Sequence, residues 1–209
     1  MIAQVIAIDG PAGSGKSTVA RALADALGWA FLDTGAMYRA VTVEALRRGI
    51  DIYDEDAVAQ LAASVSLTTL PRVTVDGRDV EEEIRSEPVN VAVSVVAANP
   101  KVRASMVTRQ RQWASEQTAG TVVEGRDITT VVFPEATIKV FLTASLEERA
   151  RRRGDEGAAS VARRDEADTT RDASPLRQAE DAIVLDTTGR EVDDVVEEIM
   201  ECLANLRSN

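Results

Sequence analysis

The residues from Gly10 to Ser17 (Gly-Pro-Ala-Gly-Ser-Gly-Lys-Ser) have the spacing G-x-x-x-x-G-K-[ST]. Each part of that pattern serves one chemistry, the cradling of a polyphosphate. Glycines let backbone N–H groups turn inward around an anion without side-chain clash. A helix opening at Lys16 would aim the positive end of its dipole at the same anion. The ammonium of Lys16 can reach β- and γ-phosphates, and the Ser17 hydroxyl can ligate Mg²⁺. Gly10, Pro11, Ala12, Gly13, Ser14, Gly15, Lys16, Ser17 and Thr18 are therefore expected to hold the phosphates of ATP. Asp9, just before the loop, reads equally well as a structural residue or as a holder of a metal-bound water.

Other chemistries are excluded by composition. The chain has no histidine, so histidine acid–base catalysis, Ser-His-Asp triads and histidine metal sites are absent. Its single cysteine, Cys202, forbids an internal disulfide and fits a reducing cytoplasm. The net charge of −11 argues against a nucleic-acid polymer or a membrane surface as partner, since both select basic proteins. Arginines nevertheless crowd the stretch from Arg149 to Arg177, a local patch suited to a compact, highly charged anion. No basic segment precedes the first apolar run and Asp9 interrupts it, so no secretory leader is expected.

The elements that position these residues follow from periodicity. Ile2–Ile8 is apolar and rich in β-branched residues, as a buried strand should be. Helical patterns follow over Lys16–Leu27, Ala36–Arg48 and Glu55–Ser64, with Trp29–Leu32 as a short strand between the first two. Ser66–Leu70, Arg72–Val75 and Arg78–Val80 predict short strands, with Asp76-Gly77 as a hairpin turn. Helices are expected over Ser86–Ala98 and, after the Asn99-Pro100 break, over Val102–Gln117. Thr121–Glu124 and Thr137–Leu142 read as strands of a parallel sheet, separated by a loop containing Gly125-Arg126-Asp127. Ser145 is a good N-cap for a following helix. The polar stretch 152–172 looks mobile, and Gly154 and Gly157 with Ala158, Ala159 and Ser160 suggest a flexible tip. A strand over Ile183–Asp186 and a helix over Val192–Leu206 close the chain. Alternating strands and helices predict an α/β fold: a parallel sheet flanked by helices, with a small antiparallel insert. Trp29 and Trp113 read as packing residues.

A phosphate loop alone does not separate a kinase from a GTPase or a motor ATPase. The chain has no Asn-Lys dipeptide for a guanine-reading motif. The strand Ile138–Leu142 runs into Thr143-Ala144, not into a metal-holding Asp. Both points favour a small-molecule kinase.

Four further segments give the resemblance. Asp33-Thr34-Gly35-Ala36-Met37-Tyr38-Arg39 is similar to the D-[ST]-G-A-x-Y-R segment of bacterial cytidylate kinases, members of the nucleoside monophosphate kinases with a phosphate loop. Gly77-Arg78-Asp79-Val80 with Ile84-Arg85 resembles their insert. The block from Glu124 through Gly125-Arg126-Asp127-Ile128 to Phe133-Pro134 resembles their G-R-D-[IM]-G-T-V-V-F-P motif. Arg164-Asp165, Asp168, Arg171 and Ser174-Pro175-Leu176 match the exit of their lid. The resemblance runs over essentially the whole chain.

It implies one kinase domain over residues 1–209, with an acceptor-binding insert at about 50–100 and a mobile lid at about 150–167. ATP and CMP or dCMP would be the substrates, Mg²⁺ the cofactor, and the enzyme a cytoplasmic monomer. Arg39, Arg126 and Arg171 would clamp the CMP phosphate. Ser94, Arg103 and Asp127 would read cytosine, Asp168 would meet the ribose, and Thr34 and Tyr38 would line the acceptor pocket. Arg149, Arg153 and Arg164 would be lid or ATP-side charges. Lys16, Arg126 and Arg171 would form the catalytic set. A carboxylate at Asp127 suits cytosine's amine and repels the O4 of uracil. The family pattern has glycine where this chain has Thr129. Threonine disfavours positive φ, so either the loop is shifted there or the freedom of glycine is not needed. The alternatives are a kinase of the same fold for UMP or shikimate, and a nucleotide-binding module without turnover.

Overall fold

A computed structural model describes residues 4–154 and 157–208. Ile2 and Ala3 of the expected first strand, and residues 155 and 156 of the expected lid, lie outside the described residues. The chain divides into two compact units, one of residues 1–32, 114–170 and 174–209, the other of 33–113 and 171–173.

The first unit is built on a sheet of five strands: β1 (Val5–Asp9), β2 (Ala30–Asp33), β6 (Thr121–Glu124), β7 (Ile138–Thr143) and β8 (Ile183–Asp186). Their spatial order is β2-β6-β1-β7-β8. β1 runs parallel to both β6 and β7, with Ile8 opposite Glu124 and Asp9 opposite Phe141, and β7 runs parallel to β8. Every residue of β1 and β6 is buried, as central parallel strands require. The helices of this unit are α1 (Lys16–Leu27), α6 (Leu146–Arg153), α7 (Gly157–Thr170) and α8 (Val192–Ser208). One core joins Ile6, Ile8, Val122, Val140 and Leu142 of the sheet to Leu23 of α1 and Ile199 and Leu203 of α8. Gly28 ends α1 at φ 65°, a left-handed stop that glycine takes without a side-chain penalty.

The expected flexible tip is corrected by α7, which starts at Gly157 and is helical through the small residues 158–160. Val161 supplies the reason: it is fully buried, so one apolar contact offsets weak local propensity.

The second unit is mainly helical: α2 (Thr34–Arg47), α3 (Glu55–Ser64), α4 (Glu87–Ala98) and α5 (Pro100–Ser115). Asp33 and Asp54 cap α2 and α3 by accepting from Ala36 N and Ala57 N at 2.8 and 3.0 Å. α5 starts two residues before the expected Val102, because proline is tolerated at a first helical position that needs no N–H donor. A three-stranded antiparallel sheet, β3 (Leu67–Thr68), β4 (Thr74–Val75) and β5 (Arg78–Asp79), sits among these helices. Asp76 and Gly77 turn its hairpin with φ of 50° and 78°, the positive pair that matches strand twist.

Glu44 anchors this unit electrostatically. Its side chain is only 3% exposed and accepts from Arg47 at 2.8 and 2.5 Å and from Arg48 at 2.6 Å. The hydrogen bonds from Arg47, against the opposing effect of burial, hold its carboxyl down at about 2 from an ordinary 4.5. A carboxyl depressed on folding stabilises above its unfolded pKa and loses that contribution as pH falls through the folded one. Glu44→Gln is therefore expected to cost about 1–3 kcal/mol at neutral pH. The gap to wild type should close as pH falls from 4.5 towards 2. Urea titrations across that range check it, and a gap independent of pH would refute it.

Candidate active site

The phosphate loop is shaped by close approach. A Cβ on Gly10 would lie 2.0 Å from the carbonyl oxygen of Leu142, and one on Gly13 would lie 2.7 Å from that of Arg149. Neither position admits a larger residue without moving backbone. Lys16 is buried, and its Nζ donates to Pro11 O at 2.8 Å, back across the loop. Burial, with the nearby Arg126 guanidinium adding to it and Glu124 opposing, brings the ammonium down to about 7 from its ordinary 10.5.

Ser17 opens α1 with its Oγ donating to Glu124 Oε1 at 2.7 Å. Glu124 ends β6, directly beside the strand that launches the loop. No metal-side carboxylate stands at the end of Ile138–Leu142, which runs into Thr143-Ala144. The neighbour strand that carries it is β6, and strand order is not written in sequence order. Hydroxyl and carboxylate oxygens suit Mg²⁺, which takes few protein ligands and keeps water or phosphate on the rest. The pair fits that ion.

Asp9 resolves to its structural reading. Its carboxylate is fully buried and accepts from Ile128 N at 2.9 Å, Thr129 N at 2.7 Å and Thr129 Oγ1 at 2.6 Å. Burial raises its pKa, and those three bonds counter the rise. The end of β1 is thereby tied to the loop carrying Arg126 and Asp127. The question over Thr129 is answered at the same place. It lies in a turn of π-helix, Ile128–Val132, and is not among the positive-φ residues. Glycine's freedom is not used, and the threonine hydroxyl adds a third bond.

Arg126 donates through Nε to Asp168 Oδ2 at 2.7 Å and through Nη1 to Gly125 O at 3.2 Å. Burial works against its charge, but the carboxylates of Asp168 and Glu124 outweigh that and raise its pKa. Asp127 beside it is buried. Arg153 and Arg164 are half-buried on α6 and α7. Arg149 donates to Ala144 O at 3.1 Å and Ala12 O at 3.2 Å, and pairs with Asp165. The other Asp165 oxygen accepts from Ala12 N at 3.0 Å. Both polar groups of one phosphate-loop residue are thus held from α6 and α7, a contact the sequence did not reveal.

The remaining expected residues belong to the helical unit. Arg103, buried on α5, stacks its guanidinium over the Tyr38 ring at 5.4 Å and donates to Ala97 O at 3.0 Å. Arg39 donates through Nη1 to Ile84 O at 2.6 Å and Asn90 Oδ1 at 2.7 Å, joining α2 to the segment leading into α4. Thr34 is buried at the start of α2, Ser94 half-buried on α4, and Arg171 half-buried. Tyr38, Arg39 and Arg103 therefore meet partners within their own unit. Arg126, Asp127, Asp168, Lys16 and Ser17 lie in the sheet-bearing one.

A family model for cytidylate kinases matches residues 6–205. The chain is 52% identical to a cytidylate kinase of Pelotomaculum thermopropionicum, over 93% of each chain. It is 49% identical to that of Geobacillus kaustophilus, over 94% of each. Among solved structures, a gluconokinase from Sinorhizobium meliloti is similar at TM-score 0.51 and 18% identity, covering 98% of this chain and 94% of that one. At that identity the likeness concerns the fold alone.

Proposed function

Since the chain belongs to the cytidylate kinase family, we propose that it transfers the γ-phosphate of ATP to CMP or dCMP, giving CDP or dCDP. The observation that carries this reading is the bonding of two pieces of machinery through one strand. β1 launches the phosphate loop, and its last residue, Asp9, holds the Arg126-Asp127 loop by three hydrogen bonds. A phosphoryl donor site and a charged acceptor loop are thereby fixed to the same rigid element.

An acceptor phosphate is already an anion near neutral pH, so no general base is needed. Catalysis reduces to positioning and neutralisation of charge. Residues Gly10 to Thr18 bind the donor phosphates, and Lys16 leaves Pro11 O to meet them. Their charge adds to that of Glu124 in offsetting the burial of its ammonium. Ser17 and Glu124 would hold Mg²⁺, which offsets phosphate charge when bound. Arg126 and Arg171, with Arg39, take the acceptor phosphate; Ser94, Arg103 and Asp127 read the base; Asp168 meets the ribose; and Arg149, Arg153 and Arg164 serve the donor side. Thr34 and Tyr38 line the acceptor pocket. Residues 50–100 and 150–167 act as acceptor insert and lid. The enzyme works as a cytoplasmic monomer without nucleic-acid or membrane partners; the net charge of −11 supports the last point.

The test is an acceptor panel of CMP, dCMP, UMP, AMP and shikimate in a coupled assay, with the cytidine nucleotides expected to dominate. Asp127 gives it a second arm. Its carboxylate accepts from cytosine's amine and faces the O4 of uracil as one acceptor faces another. That mismatch costs about 1–3 kcal/mol, roughly ten- to hundredfold in preference. Asp127→Asn can turn its amide to donate to O4, so it should lose CMP efficiency and narrow the CMP/UMP ratio of kcat/KM. An unchanged ratio removes Asp127 from base reading.

A further inference from the structure

We propose that Thr187, clamped by Arg152, is a positioning residue that orients the Ser14–Gly15 peptide of the phosphate loop for the donor phosphates; this rests on the phosphate-loop reading above. Thr187 lies just past β8 and is buried. Its Oγ1 is 3.0 Å from Ser14 O and 3.1 Å from Thr143 O. Arg152 of α6 donates through Nη1 to the same Oγ1 at 2.8 Å and through Nη2 to Thr187 O at 2.6 Å. Glu148, one turn earlier, accepts from Arg152 Nε at 2.9 Å and fixes the guanidinium plane.

The direction of the hydroxyl follows from this arrangement. Arg152 occupies a lone pair of Oγ1, so the hydroxyl proton must point away from it, towards the two carbonyls. Thr143 O already receives the Thr187 N–H at 2.8 Å, which leaves Ser14 O as the acceptor in need of it. The Ser14 side chain contributes nothing here, since its buried Oγ has no hydrogen-bond partner.

A trans peptide places its C=O and the next N–H on opposite sides. Holding Ser14 O towards Thr187 therefore turns the Gly15 N–H the other way, into the loop. That N–H is one of the inward donors a phosphate cradle depends on. The space above Gly15 is shaped by the same arginine, as a Cβ there would lie 3.4 Å from Arg152 Nη1. The chain Glu148–Arg152–Thr187–Ser14 thus runs from the first lid-side helix to the phosphate loop. Arg152 has this part without touching the acceptor machinery.

The experiment compares Thr187→Val, which keeps shape and removes the hydroxyl, with Thr187→Ser, which keeps the hydroxyl, in the full-length enzyme. Thr187→Val should raise KM for ATP about tenfold and leave KM for CMP within about twofold. Thr187→Ser should restore most of the ATP affinity, a rescue that a packing role would not give. Arg152→Met should raise the ATP KM in the same selective way, and the double variant should be no worse than Thr187→Val. If Thr187→Val does not fold, Arg152→Met decides alone. Its side chain is 23% exposed, so removing it leaves no sealed cavity. A selective rise in ATP KM supports the proposal and an unchanged ATP KM overturns it. Valine and serine variants that behave alike, or equal shifts for ATP and CMP, also overturn it. Lys16→Ala in parallel separates the two levels. An active Lys16→Ala sinks the phosphate-loop reading, whereas an inactive one beside a normal Thr187→Val sinks only the anchor.

Discussion

Lys16→Ala should lower turnover by about 10²–10⁴-fold while the protein remains folded. In the proposed function its ammonium is the charge that the loop would set against the β- and γ-phosphates, and no other lysine stands in the loop. The same substitution should not destabilise the nucleotide-free protein. Lys16 is buried with its Nζ donating to Pro11 O, and burial with the nearby Arg126 guanidinium outweighs the favourable charges of Glu124 and Asp9. A buried cation compensated only in part costs stability, which the folded enzyme would recover when phosphates bind. Wild type should therefore gain more thermal stability from Mg-ATP than Lys16→Ala does, and melting curves with and without the nucleotide measure this. A variant of near-normal activity would remove Lys16 from the transfer step.

Arg126→Gln should reduce kcat/KM for CMP by about 10²–10³-fold and leave ATP affinity within a few-fold, if Arg126 is the charged donor to the acceptor phosphate that the proposed function makes it. The structure adds a consequence. Arg126 is bonded to Asp168, so its loss leaves that half-buried carboxylate without this partner. Double replacement, Arg126→Gln with Asp168→Asn, should recover stability but not activity. Separate titrations with ATP and CMP give the answer for each ligand. Loss of ATP affinity with CMP affinity intact would reverse the assigned role.

Local pattern was a good guide where one element decides its own form. The helix Glu55–Ser64 and the strands Thr121–Glu124 and Ile183–Asp186 have the ends that periodicity and capping predict. The phosphate-loop pattern was legible because it is written in eight consecutive residues. What stayed hidden depends on distant partners. Glu124 pairs with Ser17 only because β6 lies beside β1, and strand order is set by packing. The helix α7 follows from the burial of Val161, against a run of glycine, alanine and serine that reads as loose. Thr129 looked like a misfit for want of glycine, yet its hydroxyl is used by Asp9, a residue 120 positions away. The role of Arg152 through Thr187 spans 35 positions and leaves no local trace.

The most direct measurement follows the transferred group itself. Given ATP labelled in its γ-phosphate together with CMP and Mg²⁺, the enzyme should place the label in the β-phosphate of CDP, one CDP for each ADP formed. ADP should not accumulate at a comparable rate when CMP is left out, because water is a poor substitute in a site built for a phosphate acceptor. Label released as inorganic phosphate, or ADP formed equally fast without CMP, would contradict the account.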